Sequence, residues 1–252
     1  MFDSHCHLDF AEFDADREAV LADCRRLGVE GMLVPGVTAA TWPRLLALTD
    51  AHPDVFPALG LHPMFIDEHR DAHLAELENL LQAGRAVAVG EIGLDFFLPQ
   101  LDRQRQQYFF VEQLKLAQHY HLPLILHVRK AHDQVLAQLR RMTLVGGIVH
   151  AFGGSEQQAY QYIELGFKLG FGGAMTWPRA KKLQHLVATL PLESLLLETD
   201  APDMPPVWAA GQRSSPQYLP QYARFIAQLR GVDESLIRRQ TTETARRALG
   251  LA

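Results

Sequence analysis

The feature that most constrains this chain is an alternation. Eight short strand-like runs, most of them continuously apolar, are each followed by a longer amphipathic stretch. The runs are 1–4, 29–37, 55–61, 86–93, 123–128, 147–152, 168–173 and 194–199. The helical patterns cover 14–27, 38–51, 68–83, 99–120, 131–142, 155–165, 180–190, 216–229 and 234–249. In the first of these Val20, Leu21, Cys24 and Leu27 fall on one stripe; in the third Leu74, Leu77, Leu80 and Leu81 do. Continuously apolar strands are buried on both faces, as in a parallel sheet covered by helices. Eight such units in 252 residues predict an α/β chain folded as a single (β/α)8 TIM barrel over 1–252. The rival is an open doubly wound sheet. No glycine-rich phosphate loop follows the first run, which weakens its nucleotide-binding form. The segment 201–215, rich in Pro and then Gly-containing, reads as a long loop after the eighth strand.

Composition narrows the function. The 48% hydrophobic content suffices for a large core, yet no run approaches a membrane span. No secretory pattern is visible, and Cys6 and Cys24 are the only cysteines, so a reducing cytoplasm is the expected setting. The net charge of −5 gives no global field that would draw nucleic acid. A nucleic-acid substrate would need metal ions and a local basic patch. No coiled coil or obvious apolar patch calls for an oligomer, and a monomer is expected.

The ionisable residues at the C-terminal ends of the strand runs carry the chemistry. The first run leads into His5 and His7, the third into His62, the fourth into Glu91, the fifth into His127, the sixth into His150 and the eighth into Asp200. In a barrel these ends meet at one face, where active sites sit. Imidazoles and carboxylates together suit divalent cations. Six ligands exceed one tetrahedral site, so two ions are expected. One would take His5, His7, Glu91 and Asp200; the other Glu91, His127 and His150, with Glu91 bridging. Two ions about 3.5–4 Å apart polarise an electrophile and activate a shared water, with Asp200 as its base. Alternation points Cys6 away from this pair and into the core.

These motifs resemble one family. DSHCHLD, GLHP, AVGEIGLD, LILHVRKAHD, VHAFGG, GFGGAMTWPRAKKL and LLLETDAPDMP are similar, in this order, to the TatD family of metal-dependent hydrolases, nearest its YjjV-like branch. The resemblance spans Met1 to Leu251 and implies the barrel of the amidohydrolase superfamily. It also implies a Mg2+- or Mn2+-dependent deoxyribonuclease, usually a 3′-to-5′ exonuclease, with DNA as substrate. The family's metal positions fall on His5, His7, Glu91, His127, His150 and Asp200, and its substrate-phosphate histidine on His62. Zn2+ also suits so many imidazoles. Two departures stand out. The loop after the eighth strand reads Gly211-Gln212-Arg213-Ser214-Ser215-Pro216, keeping Arg and Pro but not the usual Asn and Glu. Thr244 stands before Ala245 where Asn is usual.

Other residues keep two readings. Arg129 shares the inward face of His127, as a phosphate contact or a rim salt bridge. Glu198 shares the face of Asp200 but lies deeper, as an acceptor for a ligand histidine or a polar residue paired elsewhere. Arg179, Lys181, Lys182 and Arg213 are candidates for a backbone-binding patch or ordinary surface charge. His132, just past the fifth run, is the remaining histidine nearest the expected site. The same pocket could cleave an amide, an ester or an aminoacyl-tRNA bond, and a non-catalytic metal-binding protein is the third class of function considered.

Overall fold

A computed structural model describes residues 1–251. Eight parallel strands form one sheet in sequence order: β1 (Phe2–Asp3), β2 (Gly31–Pro35), β3 (Val55–Leu59), β4 (Ala88–Asp95), β5 (Leu124–Arg129), β6 (Gly147–Val149), β7 (Phe167–Phe171) and β8 (Leu195–Leu197). Between them run α1 (Arg17–Arg26), α2 (Trp42–Ala51), α3 (Asp71–Gln82), α4 (Arg103–Tyr120), α5 (His132–Leu139), α6 (Glu156–Glu164) and α7 (Lys181–Thr189). The helices α8 (Leu219–Arg230) and α9 (Glu234–Ala248) follow β8. This is the (β/α)8 barrel that the alternation predicts.

Double burial explains the apolar runs. Phe2, Leu33, Ala58, Ala88, Ile125, Ile148 and Leu196 form one cluster inside the barrel. Their strand neighbours Leu124, Leu126, Val149, Leu195 and Leu197 belong to the larger cluster beneath the helices. Ala245 and Leu249 join the inner cluster, so α9 closes the barrel at the end away from the strand C-termini.

The ladder runs from β1 to β8, and the last seam is stitched rather than paired. Ser4 N–H donates to the Leu197 carbonyl at 2.9 Å, and Asp200 N–H donates to the His5 carbonyl at 2.9 Å. The buried Asp3 carboxylate adds side-chain bonds. Its Oδ1 accepts from Thr199 N–H at 3.0 Å and its Oδ2 from the Thr199 hydroxyl at 2.6 Å.

Several elements are shorter than their sequence patterns. The α4 pattern begins at residue 99, but Asp102 accepts from the N–H groups of Gln104 and Arg105 and starts the helix there. The sixth and eighth runs were expected to reach residues 152 and 199. They stop at Val149 and Leu197 because the chain turns into the site just beyond them. Ala151 (φ 43°) and Asp200 (φ 52°) adopt left-handed conformations that no strand contains.

Candidate metal centre

The strand ends meet around one buried carboxylate, Glu91 on β4. Its Oε2 lies 3.2 Å from His5 Nε2 and 3.6 Å from His7 Nε2. Asp200 Oδ1 completes this side, 3.6 Å from His5 Nε2 and 3.8 Å from His7 Nε2. Glu91 Oε1 lies 3.1 Å from His62 Nε2, 3.1 Å from His127 Nδ1 and 3.3 Å from His150 Nε2. The His5 and His150 rings stack with centroids 3.7 Å apart. Every residue expected as a metal ligand is therefore in one cluster, split across the two oxygens of Glu91. Cys6 is buried in the core cluster and stands outside these groups.

The ring nitrogens fix what each histidine can do. His127 faces Asp95 Oδ2 with Nε2 at 3.1 Å, so a proton there leaves the Nδ1 lone pair facing Glu91. His150 Nδ1 lies 3.6 Å from Glu198 Oε1, which also accepts from Ala151 N–H at 2.6 Å. Glu198 thus sits where it can orient His150, the first of its two sequence readings. Gly170 makes room for it: a Cβ there would fall 1.9 Å from Glu198 Oε2. His62 differs. Its Nδ1 accepts from Met64 N–H at 3.1 Å, so its Nε2 carries the hydrogen and donates to Glu91. It is a donor at that atom, although it stands within ligand range of Glu91 and His127.

Protonation follows from this crowding. Burial alone would raise the Glu91 pKa, yet the histidines around it, His62 foremost, hold it well below the ordinary value. Burial pushes the Asp200 carboxyl up to about 7, with the Glu91 charge adding to this and His150 opposing it. Burial opposes a charge on His150, but the Glu91 and Asp200 carboxylates raise it to about 10. Burial lowers His7 to about 4 and His5 well below its ordinary value. His5, His7 and His150 each keep a buried Nδ1 without a hydrogen-bond partner. Five imidazoles and two carboxylates thus converge in one buried cluster. The donor set fits divalent ions.

The mouth is a cleft of about 700 Å³ lined by His127, His150, Asp200, Arg129, His132, Phe97 and neighbouring residues. Arg129 is half-exposed there, its guanidinium 3.8 Å over the Phe97 ring and 3.8 Å from Asp95 Oδ2. His132 contacts the Tyr162 hydroxyl at 3.3 Å and lines the cleft. Arg213 does not line it. Its guanidinium pairs with Asp16 at 2.6 Å, reaches the Glu12 carbonyl and covers Phe13. Arg213 here tethers the long loop to the residues before α1. Among the basic-patch candidates, Lys182 donates to the Gly153 carbonyl at 2.8 Å and Arg179 lies over Trp177.

Asp95 is the residue the sequence reading missed. A signal was available: Glu91, Gly93 and Asp95 alternate along β4, so a second carboxylate shares the inward direction of the first. At Gly93 the backbone has φ +147°, and a Cβ would meet the His127 carbonyl at 1.9 Å. That close approach brings β4 and β5 together beside the cluster.

The sequence profile described as TatD related DNase matches residues 2–250. The chain belongs to this family. One TatD-family relative, described as an uncharacterized metal-dependent hydrolase YjjV from Escherichia coli K12, is 45% identical over 231 residues, covering 90% of this chain and 89% of that protein. A 3′-5′ ssDNA/RNA exonuclease TatD from Erwinia tasmaniensis is 34% identical over 260 residues, covering 100% of both chains. The crystal structure of YjjV, a TatD homolog from E. coli K12, superposes with a TM-score of 0.95 at 42% identity, covering 99% of this chain and 97% of that one. Among the described residues, no helix is long and apolar enough to cross a membrane.

Proposed function

We propose that this protein is a metal-dependent hydrolase of ester bonds that holds two divalent cations and removes nucleotides from the 3′ end of single-stranded DNA or RNA. One observation carries the proposal: Glu91 turns one oxygen to His5 and His7, which Asp200 also faces, and the other to His127 and His150. These six residues would hold the ions, Glu91 serving both. Mg2+ and Mn2+ match phosphoryl chemistry, and the imidazole-rich donor set also admits Zn2+. Bound there, the cations supply Lewis acidity and lower the pKa of a water. The protein's own groups do the rest. Asp200, whose Oδ1 faces both His5 and His7, accepts the proton of the attacking water. His62 donates its Nε2–H to Glu91 Oε1 and holds that carboxylate in place beside the scissile phosphate. Arg129, half-exposed at the mouth, holds a neighbouring phosphate. Asp95 and Glu198 keep His127 and His150 aimed. The nucleic-acid substrate is carried from the TatD exonucleases, whose similarity spans the whole chain.

The test offers 3′-labelled single-stranded DNA and RNA with Mg2+, Mn2+ or Zn2+, and charged tRNA beside them. We expect shortening of the nucleic acid and a loss of roughly 100-fold or more in Asp200→Asn, the scale of a removed general base. Cleavage of charged tRNA alone would keep the ester hydrolase and remove the nuclease. Full activity of Asp200→Asn on every substrate would sink the catalytic assignment.

A further inference from the structure

We propose that Phe97 and Arg129 form a stacking platform for a nucleobase beside the scissile phosphate. The proposal rests on the nuclease reading above and assigns it a base-binding subsite. Phe97 is 50% exposed at the rim of the cleft that holds His127, His150 and Asp200. The Arg129 guanidinium carbon sits over the Phe97 ring, 3.8 Å from its centroid, and forms a cation–π pair with it. The pair is held in register with the cluster by one buried residue. Asp95 Oδ1 accepts from Phe97 N–H at 2.9 Å, while Oδ2 faces His127 Nε2 at 3.1 Å and Arg129 Nη1 at 3.8 Å. A base on the platform and a phosphate at the cluster are thereby set at a fixed offset. Met64 and Met204, 41% and 38% exposed, supply further apolar lining to the same cleft. Aromatic and thioether surfaces with a cation suit the flat faces of bases without reading their edges. The platform therefore binds single-stranded nucleic acid with little base preference.

The experiment separates this subsite from the nuclease reading. Binding of a fluorescent single-stranded oligonucleotide is followed by anisotropy in the Asp200→Asn background with Mg2+, so that no turnover is needed. Phe97→Ala should weaken binding about tenfold, and Phe97→Trp should keep it, as expected for one base–aromatic stack. A series of oligonucleotides, each with one abasic position near the 3′ end, supplies the second arm. At one position the abasic substrate should bind about tenfold worse to the Phe97-containing protein and be insensitive to Phe97→Ala. Equal effects of Phe97→Ala on intact and abasic oligonucleotides at every position would overturn the platform, as would an absence of effect. Nuclease turnover by the unsubstituted protein with no such coupling leaves the nuclease and removes the platform. Base-dependent binding through Phe97 without turnover does the reverse.

Discussion

Asp95 shows how much a single side chain away from the ions can decide. Its carboxylate is fully buried and meets His127, Arg129 and the Phe97 amide. Burial opposes its charge, but the His127 hydrogen bond pulls its pKa below the ordinary value, so it remains an anion. Asp95→Asn keeps the shape and removes the charge that fixes the His127 ring. Metal affinity should fall roughly 10- to 100-fold, the usual effect of losing such a support. Isothermal titration with Mn2+ checks this, with circular dichroism confirming the fold; unchanged affinity would remove Asp95 from the role. At this scale the sequence was partly legible. His5, His7, Glu91, His127, His150 and Asp200 could be picked out because each lies in the C-terminal part of a strand run or just beyond it, and strand ends of a barrel converge. Asp95 shares that property but was hidden inside a motif already explained by Glu91. The partner of Arg213 was not legible for the opposite reason: loop residues follow no period, and Asp16 pairs with it from a distant part of the chain.

Strands and helices were legible because the barrel buries both faces of every strand, leaving an unbroken apolar signal. Boundaries were not, since they depend on local events. Asp102 begins α4 by capping, and left-handed residues at Ala151 and Asp200 cut β6 and β8 short. The seam between β1 and β8 was also invisible, because it joins residues almost 200 apart through Asp3 and Thr199. Burial raises the Asp3 carboxyl to about 8, against the hydrogen bonds from Thr199 and His5 that favour its charge. Asp3→Ala leaves the Thr199 hydroxyl and two backbone N–H groups without this acceptor. The expected cost is about 2–4 kcal/mol, from hydrogen bonds lost in a buried site. Urea unfolding of the metal-free protein measures it. A loss under about 0.5 kcal/mol would show that the backbone bonds of Ser4 and Asp200 suffice to hold the seam.

The whole molecule carries a pH dependence apart from its metal cluster. His69 is buried and donates from Nε2 to the His62 carbonyl at 2.8 Å. Burial lowers its pKa to about 4, against an ordinary value of 6.5. The unfolded chain therefore takes up this proton first as pH falls below 6.5, and stability drops until the folded state also titrates near 4. Between pH 7 and pH 5 this amounts to roughly 2 kcal/mol. In His69→Gln that part of the slope should vanish from metal-free unfolding curves, while the cluster histidines contribute equally to both proteins. An unchanged slope would place the proton uptake elsewhere. The barrel's order of assembly has a different consequence. His5 and His7 follow the first strand of the barrel and Asp200 the last, across the seam from them. A nascent chain shorter than about 200 residues holds imidazoles but no finished centre. A fragment that ends before β8 therefore lacks the carboxylate that closes one side of the cluster.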